Sequence, residues 1–129
     1  MNIKNQSNTL YISDLDGTLL NQDVKLTART IKILNDLLGK GVLFTVATAR
    51  TIASVKYILK DLNLTLPIIL MNGVCIFDPV KKNYINVETL NKYNVRLLTS
   101  IIDEHHLNGF MYSVNNGVLS TYYENIGNK

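Results

Sequence analysis

Two aspartates one residue apart, Asp14 and Asp16, follow a short hydrophobic stretch in the segment LYISDLDGTLLN, residues 10–21. Because alternate residues of an extended chain point the same way, both carboxylates can face one site. Two neighbouring carboxylates need a cation or a shared proton. Mg²⁺ suits them, since it prefers oxygen ligands and keeps waters and substrate oxygens in its coordination shell. Gly17 allows the backbone to turn tightly after them.

Phosphoryl chemistry is a second use of such a pair. An aspartate can attack phosphorus to form an aspartyl-phosphate, while a second acid protonates the leaving oxygen and later activates water. Taken alone, the Asp-Leu-Asp-Gly pattern is equally typical of a surface turn, because Asp and Gly are common turn formers. The surrounding elements must therefore decide between the two interpretations.

Those elements alternate between strands and helices. The sequence predicts strands at residues 9–13, 42–48 and 68–72, and helices at 28–40 and 51–63. The second and third strands are continuous apolar runs, which suits buried strands of a parallel sheet. This order favours right-handed crossovers and a doubly wound α/β sheet. The helix residues predicted to face the core are Ile31, Leu34, Leu37, Leu38, Val55, Ile58, Leu59 and Leu62.

In an open α/β sheet, ligands bind beyond the carboxyl ends of the strands. Free backbone N–H groups at the start of the helix after Thr48 can hold a phosphate there. The polar residues and glycine that follow the three strands in turn are Asp14 and Asp16, Thr48 and Arg50, and Asn72 and Gly73.

The pattern changes in the second half of the chain. Short strands with Asn-Gly and Asp-Pro turns follow the third parallel strand. Asn91 can cap a helix over 92–107, and a hairpin is predicted around Asn116-Gly117. These elements do not continue the earlier alternation, so we predict a boundary near residue 87. The residues predicted to face inward on this helix are Val95, Leu98, Ile101 and Ile102.

Composition narrows the function classes. The chain has 129 residues, a net charge of +3 and scattered lysines, which is not the pattern of a nucleic-acid-binding protein. It contains no apolar run of bilayer-spanning length and no signal-peptide core. Its single cysteine, Cys75, is predicted to be a small buried strand residue. We therefore expect a cytoplasmic domain that binds neither nucleic acid nor membrane.

Three segments in order, YISDLDGTLLN, FTVATARTIASV and IILMNGVCIFD, resemble the N-terminal motifs of the haloacid dehalogenase superfamily, specifically its Cof-like phosphatases. The resemblance covers essentially the whole chain. It implies part of a Rossmannoid core over residues 1–87 and the beginning of an α/β cap over 88–129. It also implies Mg²⁺-dependent hydrolysis of a small phosphorylated metabolite through an aspartyl-phosphate.

The resemblance assigns roles to the motif residues. Asp14 would be the nucleophile and a Mg²⁺ ligand, and Asp16 the general acid/base that binds Mg²⁺ through its backbone carbonyl. Thr48 would bind the transferring phosphoryl group, together with the backbone amides of Leu15 and Ala49.

Two neighbouring residues have roles that the pattern leaves open. Arg50 suits either a phosphate-side contact or a structural ion pair. Asn72 is first a turn residue and second a candidate for substrate contact. The family usually has Thr-Gly-Arg where this chain has Thr-Ala-Arg, and Ala49 keeps the N–H but would be strained at positive φ.

Family members continue beyond this length with a lysine that neutralises the phosphoryl group and a Gly-Asp-rich motif that completes the Mg²⁺ site. Here the downstream Lys129 has no strand or helix context, and the downstream acids Asp103 and Glu104 lie on a predicted cap helix, so neither motif is identified. We therefore expect a truncated, N-terminal half of the enzyme. Without the neighbouring strand from the later segment, residues 9–13 would form an exposed apolar edge, which predicts self-association. The alternative hypothesis is an inactive fragment with weak phosphate binding or a protein-interaction role.

Two other classes fit less well. A signalling receiver domain needs its phosphoacceptor aspartate after the third strand, which here ends in LMNG. A sugar-nucleotide transferase with an Asp-x-Asp motif needs a nucleotide-binding half before it, and only thirteen residues precede Asp14.

Overall fold

The computed structural model of the chain describes residues 9–123. The chain divides into two compact units, Met1–Val87 and Glu88–Lys129. Within residues 9–123, no helix combines the length and the apolarity that a bilayer crossing requires.

The first unit is built on parallel strands. β1 (Leu10–Ser13) pairs in parallel with β2 (Leu43–Val46). A parallel bridge between Ala47 and Ile69 continues this pairing to β3 (Ile68–Leu70). Helices separate these strands along the chain, so the predicted α/β fold with a parallel sheet is confirmed.

The first crossover helix, α1 (Ala28–Gly39), begins where the sequence predicts. The Thr27 hydroxyl accepts the Thr30 N–H at 3.0 Å, which satisfies a backbone donor that the first turn leaves unpaired. After the helix ends, Gly41 has a φ of +89°. Glycine adopts this left-handed conformation without steric cost, which lets the chain reverse into β2.

The second helix, α2 (Ile52–Ile58), is shorter than predicted. Beyond its end, the side-chain amide of Asn35 on α1 bonds to the backbone. Its Nδ2 donates to the Asp61 carbonyl at 2.9 Å, and its Oδ1 accepts the Asn63 N–H at 2.9 Å. These two bonds hold the segment after α2 as a turn.

An antiparallel extension completes the first unit. β4 (Cys75–Asp78) pairs with β3 on one side and with β5 (Asn83–Val87) on the other. Cys75 is buried, as predicted. The Asp78 carboxylate accepts the N–H groups of Val80 and Lys81, both at 2.9 Å, which closes the turn between β4 and β5.

The core lies between the sheet and the two crossover helices. The buried apolar residues are Leu15, Phe44, Val46, Val55, Leu59, Leu62, Leu64, Ile68, Leu70 and Cys75. The predicted core face of α2 is confirmed. On α1 the prediction was wrong for Leu37, which is exposed, whereas Ile31, Leu34 and Leu38 pack against the core. Consecutive helix residues are rotated by about 100°, which places Leu37 at the edge of that face.

Within residues 88–123, the second unit contains one helix and one hairpin. α3 (Lys92–Glu104) is capped by Asn91, whose side-chain oxygen accepts the Asn94 N–H at 2.8 Å. β6 (Met111–Asn115) and β7 (Val118–Tyr122) pair antiparallel. The two residues between them, 116 and 117, have φ values of +49° and +78°, as the Asn-Gly pair predicts.

The predicted inward face of α3 is only partly covered in the described part of this unit. Val95 and Ile102 are half-buried, but the prediction was wrong for Leu98 and Ile101, which are exposed. One helix and a two-stranded hairpin provide too little apolar surface to cover the whole helix face.

Candidate active site at the strand ends

Backbone hydrogen bonds bring the three parallel strand ends together. The Ala47 N–H donates to the Ser13 carbonyl at 2.9 Å, and the Thr48 N–H donates to the Ile69 carbonyl at 3.0 Å. The Asn72 N–H in turn donates to the Thr48 carbonyl at 3.1 Å. The polar residues that follow each strand therefore meet at one edge of the sheet.

A cleft of about 470 Å³ opens at this edge. Five of the seven predicted site residues line it, namely Asp14, Asp16, Thr48, Ala49 and Asn72. Sequence reasoning had not assigned a role to two further lining residues, Ala47 and Ile69, and had listed Gly73 only as a strand-end residue. The signal for Ala47 was its position near the end of a predicted parallel strand, whereas Ile69 lies near the start of its predicted strand and gave no such signal.

The Asp-Leu-Asp segment turns its carboxylates and its leucine to opposite sides. Leu15 is fully buried in the core, whereas Asp14 and Asp16 both line the cleft. A wide turn follows, closed by a 2.9 Å bond from the Leu20 N–H to the Leu15 carbonyl, and Gly17 within it has a φ of +72°. The buried leucine thus fixes the direction in which the two carboxylates point.

The carboxylate of Asp14 is held by its own backbone neighbour. The Leu15 N–H donates to Asp14 Oδ1 at 2.7 Å, and the Ser13 hydroxyl donates to the Asp14 carbonyl at 2.8 Å. The Leu15 amide, which the family resemblance assigns to phosphate binding, is therefore engaged by Asp14 in this structure.

Asp16 forms a two-point ion pair with Arg50. Arg50 Nε donates to Asp16 Oδ2 and Arg50 Nη2 to Asp16 Oδ1, both at 2.7 Å. The hydrogen bond from Arg50 holds the pKa of Asp16 below its ordinary value of 3.8, burial acts in the opposite direction, and the charge of Arg50 adds to the lowering. The same pairing raises the pKa of Arg50. Arg50 is not among the residues that line the cleft. In this structure it makes the ion pair, which is one of the two roles that the sequence left open.

The start of the segment after β2 offers a donor to an anion. Thr48 is buried, and its hydroxyl accepts the Arg50 N–H at 3.2 Å. The Ala49 N–H has no hydrogen-bond partner among residues 9–123. Ala49 is not in the positive-φ region, so alanine in place of the usual glycine introduces no strain. An unpaired backbone N–H at a cleft is suited to a phosphate oxygen.

The backbone after β3 is unusual. Met71, Asn72 and Gly73 have successive φ values of +53°, +56° and +92°. Asparagine and glycine tolerate this region, whereas methionine adopts it at a steric cost. The strained turn brings Asn72 and Gly73 into the wall of the cleft.

The oxygen donors at the cleft decide whether Mg²⁺ fits there. Within residues 9–123, no group of three or more histidine, cysteine or acidic side chains is arranged to hold a metal ion. Both oxygens of the Asp16 carboxylate accept hydrogen bonds from Arg50. The oxygens that remain as ligands for a cation are those of the Asp14 carboxylate and of backbone carbonyls. One or two protein oxygens with waters and substrate phosphate are a usual Mg²⁺ environment, so these residues fit that ion.

Comparison with known proteins places this chain in a family. Residues 11–129 match the family model of the haloacid dehalogenase-like hydrolases. A putative phosphatase from Buchnera aphidicola subsp. Baizongia pistaciae is 38% identical over 111 residues, covering 86% of this chain and 42% of that protein. A 5-amino-6-(5-phospho-D-ribitylamino)uracil phosphatase from Bacillus subtilis is 26% identical over 117 residues, covering 91% of this chain and 47% of that protein.

A solved structure shows the same fold. A haloacid dehalogenase-like hydrolase from B. subtilis superposes with a TM-score of 0.72 at 24% identity, over 92% of this chain and 40% of that chain. The chain spans less than half the length of the curated relatives named above. Since the family model covers nearly all of the sequence and the paired aspartates follow the first parallel strand as expected, the chain belongs to the haloacid dehalogenase-like hydrolases and is of the Cof-like type.

Proposed function

We propose that this chain carries the nucleophile-bearing part of a Mg²⁺-dependent phosphatase. The observation that supports this most is the cleft at the strand ends, where an aspartate carboxylate lies together with the Ala49 N–H, which has no partner in the described part of the chain. A carboxylate can attack phosphorus, and the N–H can stabilise charge on the phosphoryl oxygens. The names of the two relatives, both phosphatases, agree with this assignment.

In the proposed reaction, an Asp14 oxygen attacks the phosphorus atom and the bond to the ester oxygen breaks. The Thr48 hydroxyl and the Ala49 N–H hold the transferring group, and the Leu15 N–H joins them when Asp14 Oδ1 turns towards phosphorus. Asp16 gives a proton to the leaving oxygen. It then takes a proton from water, which attacks phosphorus, breaks the bond to Asp14 and releases phosphate.

The pairing with Arg50 affects these two steps differently. Paired Asp16 is ionised, which suits its role as the base that activates water. Acting first as an acid requires the Asp16 carboxyl to take up a proton, which the lowered pKa opposes, while one of its oxygens keeps its hydrogen bond from Arg50. The Asp14 carboxylate and the Asp16 backbone carbonyl would hold Mg²⁺, which when bound neutralises charge on the phosphoryl oxygens.

We assign residues 1–87 to part of the core domain and residues 88–129 to the beginning of a cap domain. The substrate class that we propose is a small phosphorylated metabolite. One relative is named for such a compound, 5-amino-6-(5-phospho-D-ribitylamino)uracil.

The test is hydrolysis of p-nitrophenyl phosphate and a panel of metabolite phosphates by the 129-residue chain with Mg²⁺. We expect Asp14→Asn to abolish turnover and the matched variant Asp23→Asn, an exposed aspartate outside the cleft, to retain it. Equal turnover in wild type and Asp14→Asn would contradict the proposal. Phosphate binding without turnover would support the inactive alternative.

One observation favours an additional protein-interaction role. Leu10, Tyr11 and Ile12 of β1 are about half exposed, and among the described residues β1 pairs only with β2. An apolar edge strand with unpaired backbone groups pairs readily with another strand. We propose that two copies of the chain associate through β1.

Light scattering during size-exclusion chromatography tests this association. We expect concentration-dependent dimers that Ile12→Lys removes, because a charge on an edge strand opposes pairing. The matched variant Ile85→Lys places the same charge at an exposed isoleucine of β5 and should leave the dimers intact. A folded monomer at every concentration would contradict the proposal.

A further inference from the structure

Arg50 is hydrogen-bonded to all three segments that form the cleft. Its side chain bonds to Asp16 after β1, and its N–H donates to the Thr48 hydroxyl after β2. Its carbonyl accepts the Met71 N–H after β3 at 3.2 Å. The backbone of Arg50 is therefore anchored on two sides while its side chain reaches the third.

The geometry of the ion pair defines the orientation of the Asp16 carboxylate as well as its position. Two parallel bonds of 2.7 Å join the two nitrogens of the planar guanidinium fork to the two carboxylate oxygens. Such a pair fixes the plane of the carboxylate, which a single point charge such as a lysine ammonium does not.

The pair is too exposed to serve mainly as a stabilising contact. The side chains of Arg50 and Asp16 are 28% and 50% exposed. Exposed ion pairs contribute little to the free energy of unfolding. The main consequence of the pair is therefore the placement of a carboxylate that would otherwise rotate freely in solvent.

The neighbouring Asp14 carboxylate is the reason that the orientation of the Asp16 carboxylate matters. Asp14 and Asp16 line the same cleft and repel each other when both are ionised. The backbone holds Asp14 through the Leu15 N–H, but no backbone bond holds the Asp16 carboxylate in the described residues. Arg50 therefore holds the Asp16 carboxylate, as the Leu15 N–H holds the Asp14 carboxylate.

We propose that Arg50 is a positioning residue that holds the Asp16 carboxylate in one orientation at the cleft, and that it acts through Asp16 and not by contact with substrate. This inference deepens the proposed phosphatase function and rests on it for its effect on catalysis. The placement itself can be measured without activity.

The first measurement is NMR of the arginine Nε–H and aspartate carboxyl groups in the 129-residue chain. We expect a slowly exchanging Arg50 Nε–H that becomes fast in Asp16→Asn. We also expect an ordered Asp16 carboxyl that becomes mobile in Arg50→Lys but not in Arg29→Lys, a matched change at an exposed arginine of α1. An Asp16 carboxyl that stays equally ordered in Arg50→Lys would overturn the proposal.

The second measurement is the kinetics of Arg50→Lys with two substrates. An alkyl phosphate has a poor leaving group and needs a proton from Asp16, whereas p-nitrophenyl phosphate needs less help. We expect kcat to fall about 100-fold for the alkyl phosphate and less for p-nitrophenyl phosphate, with KM unchanged. A rise in KM for both substrates with kcat unchanged would identify Arg50 as a substrate contact and overturn the proposal.

The two measurements separate the two proposals. If the wild-type chain hydrolyses neither substrate, the proposed function fails, and the NMR result alone decides whether Arg50 positions Asp16. If the chain is active and Asp16 remains ordered without Arg50, the function stands and the positioning role fails.

Discussion

Leu15 is the residue on which the position of both aspartates depends, and Leu15→Ala is the substitution that tests this. The side chain is 0% exposed and packs in the core cluster of the first unit. Truncation to alanine removes three carbons, worth about 0.8 kcal/mol each in lost burial. The remaining cavity adds to this, and fully buried leucines cost about 2–5 kcal/mol when truncated. We expect a loss of about 3 kcal/mol in the free energy of unfolding.

Leu10→Ala is the matched control, because Leu10 lies on β1 but is 48% exposed. It should cost about 1 kcal/mol or less, since only half of its surface is withdrawn from water. Urea unfolding followed by circular dichroism, at one protein concentration for all variants, measures both changes. Equal costs for the two variants, or a cost below about 1 kcal/mol for Leu15→Ala, would refute the idea that the leucine anchors the motif.

Three further predictions follow from single contacts. Arg50→Gln should raise the pKa of Asp16 towards its ordinary value of 3.8, and NMR of the carboxyl group measures this shift. Because the pair lowers the pKa of Asp16 in the folded chain, its contribution to stability is present above pH 3.8. That contribution is lost as the pH falls through the folded-state pKa. Cys75 should react with Ellman's reagent only on unfolding, because it is buried and burial raises the pKa of its thiol; a rapid reaction of the folded chain would contradict this. Asn35→Ala should cost about 1–2 kcal/mol in urea unfolding, because it removes both bonds to the 61–63 segment, whereas an unchanged midpoint would show that these bonds do not stabilise it.

Local signals explain why much of the fold could be predicted. Thr27 and Asn91 cap their helices as the sequence indicates, because capping depends on residues three positions apart. The hairpin turn at residues 116–117 follows from the conformational freedom of Asn-Gly. Asp14 and Thr48 could be placed near each other because the carboxyl ends of parallel strands share one sheet edge.

Local sequence signals do not predict contacts between residues that are far apart in the chain. The pairing of Asp16 with Arg50 joins side chains 34 positions apart, and the sequence left two roles open for the arginine. The turn after α2 is bonded to Asn35, which lies on another helix. The exposure of Leu98 depends on how much surface the rest of its unit supplies, which periodicity does not report.

Chemical trapping of the intermediate tests the central claim most directly. The chain is incubated with Mg²⁺ and a phosphomonoester that it hydrolyses, and the reaction is then quenched. The protein is reduced with borohydride and examined by peptide mass spectrometry. Borohydride converts an aspartyl-phosphate to homoserine, so the account predicts homoserine at position 14 and unmodified aspartate at position 16. Homoserine at another position, or turnover with no modification of Asp14, would contradict it.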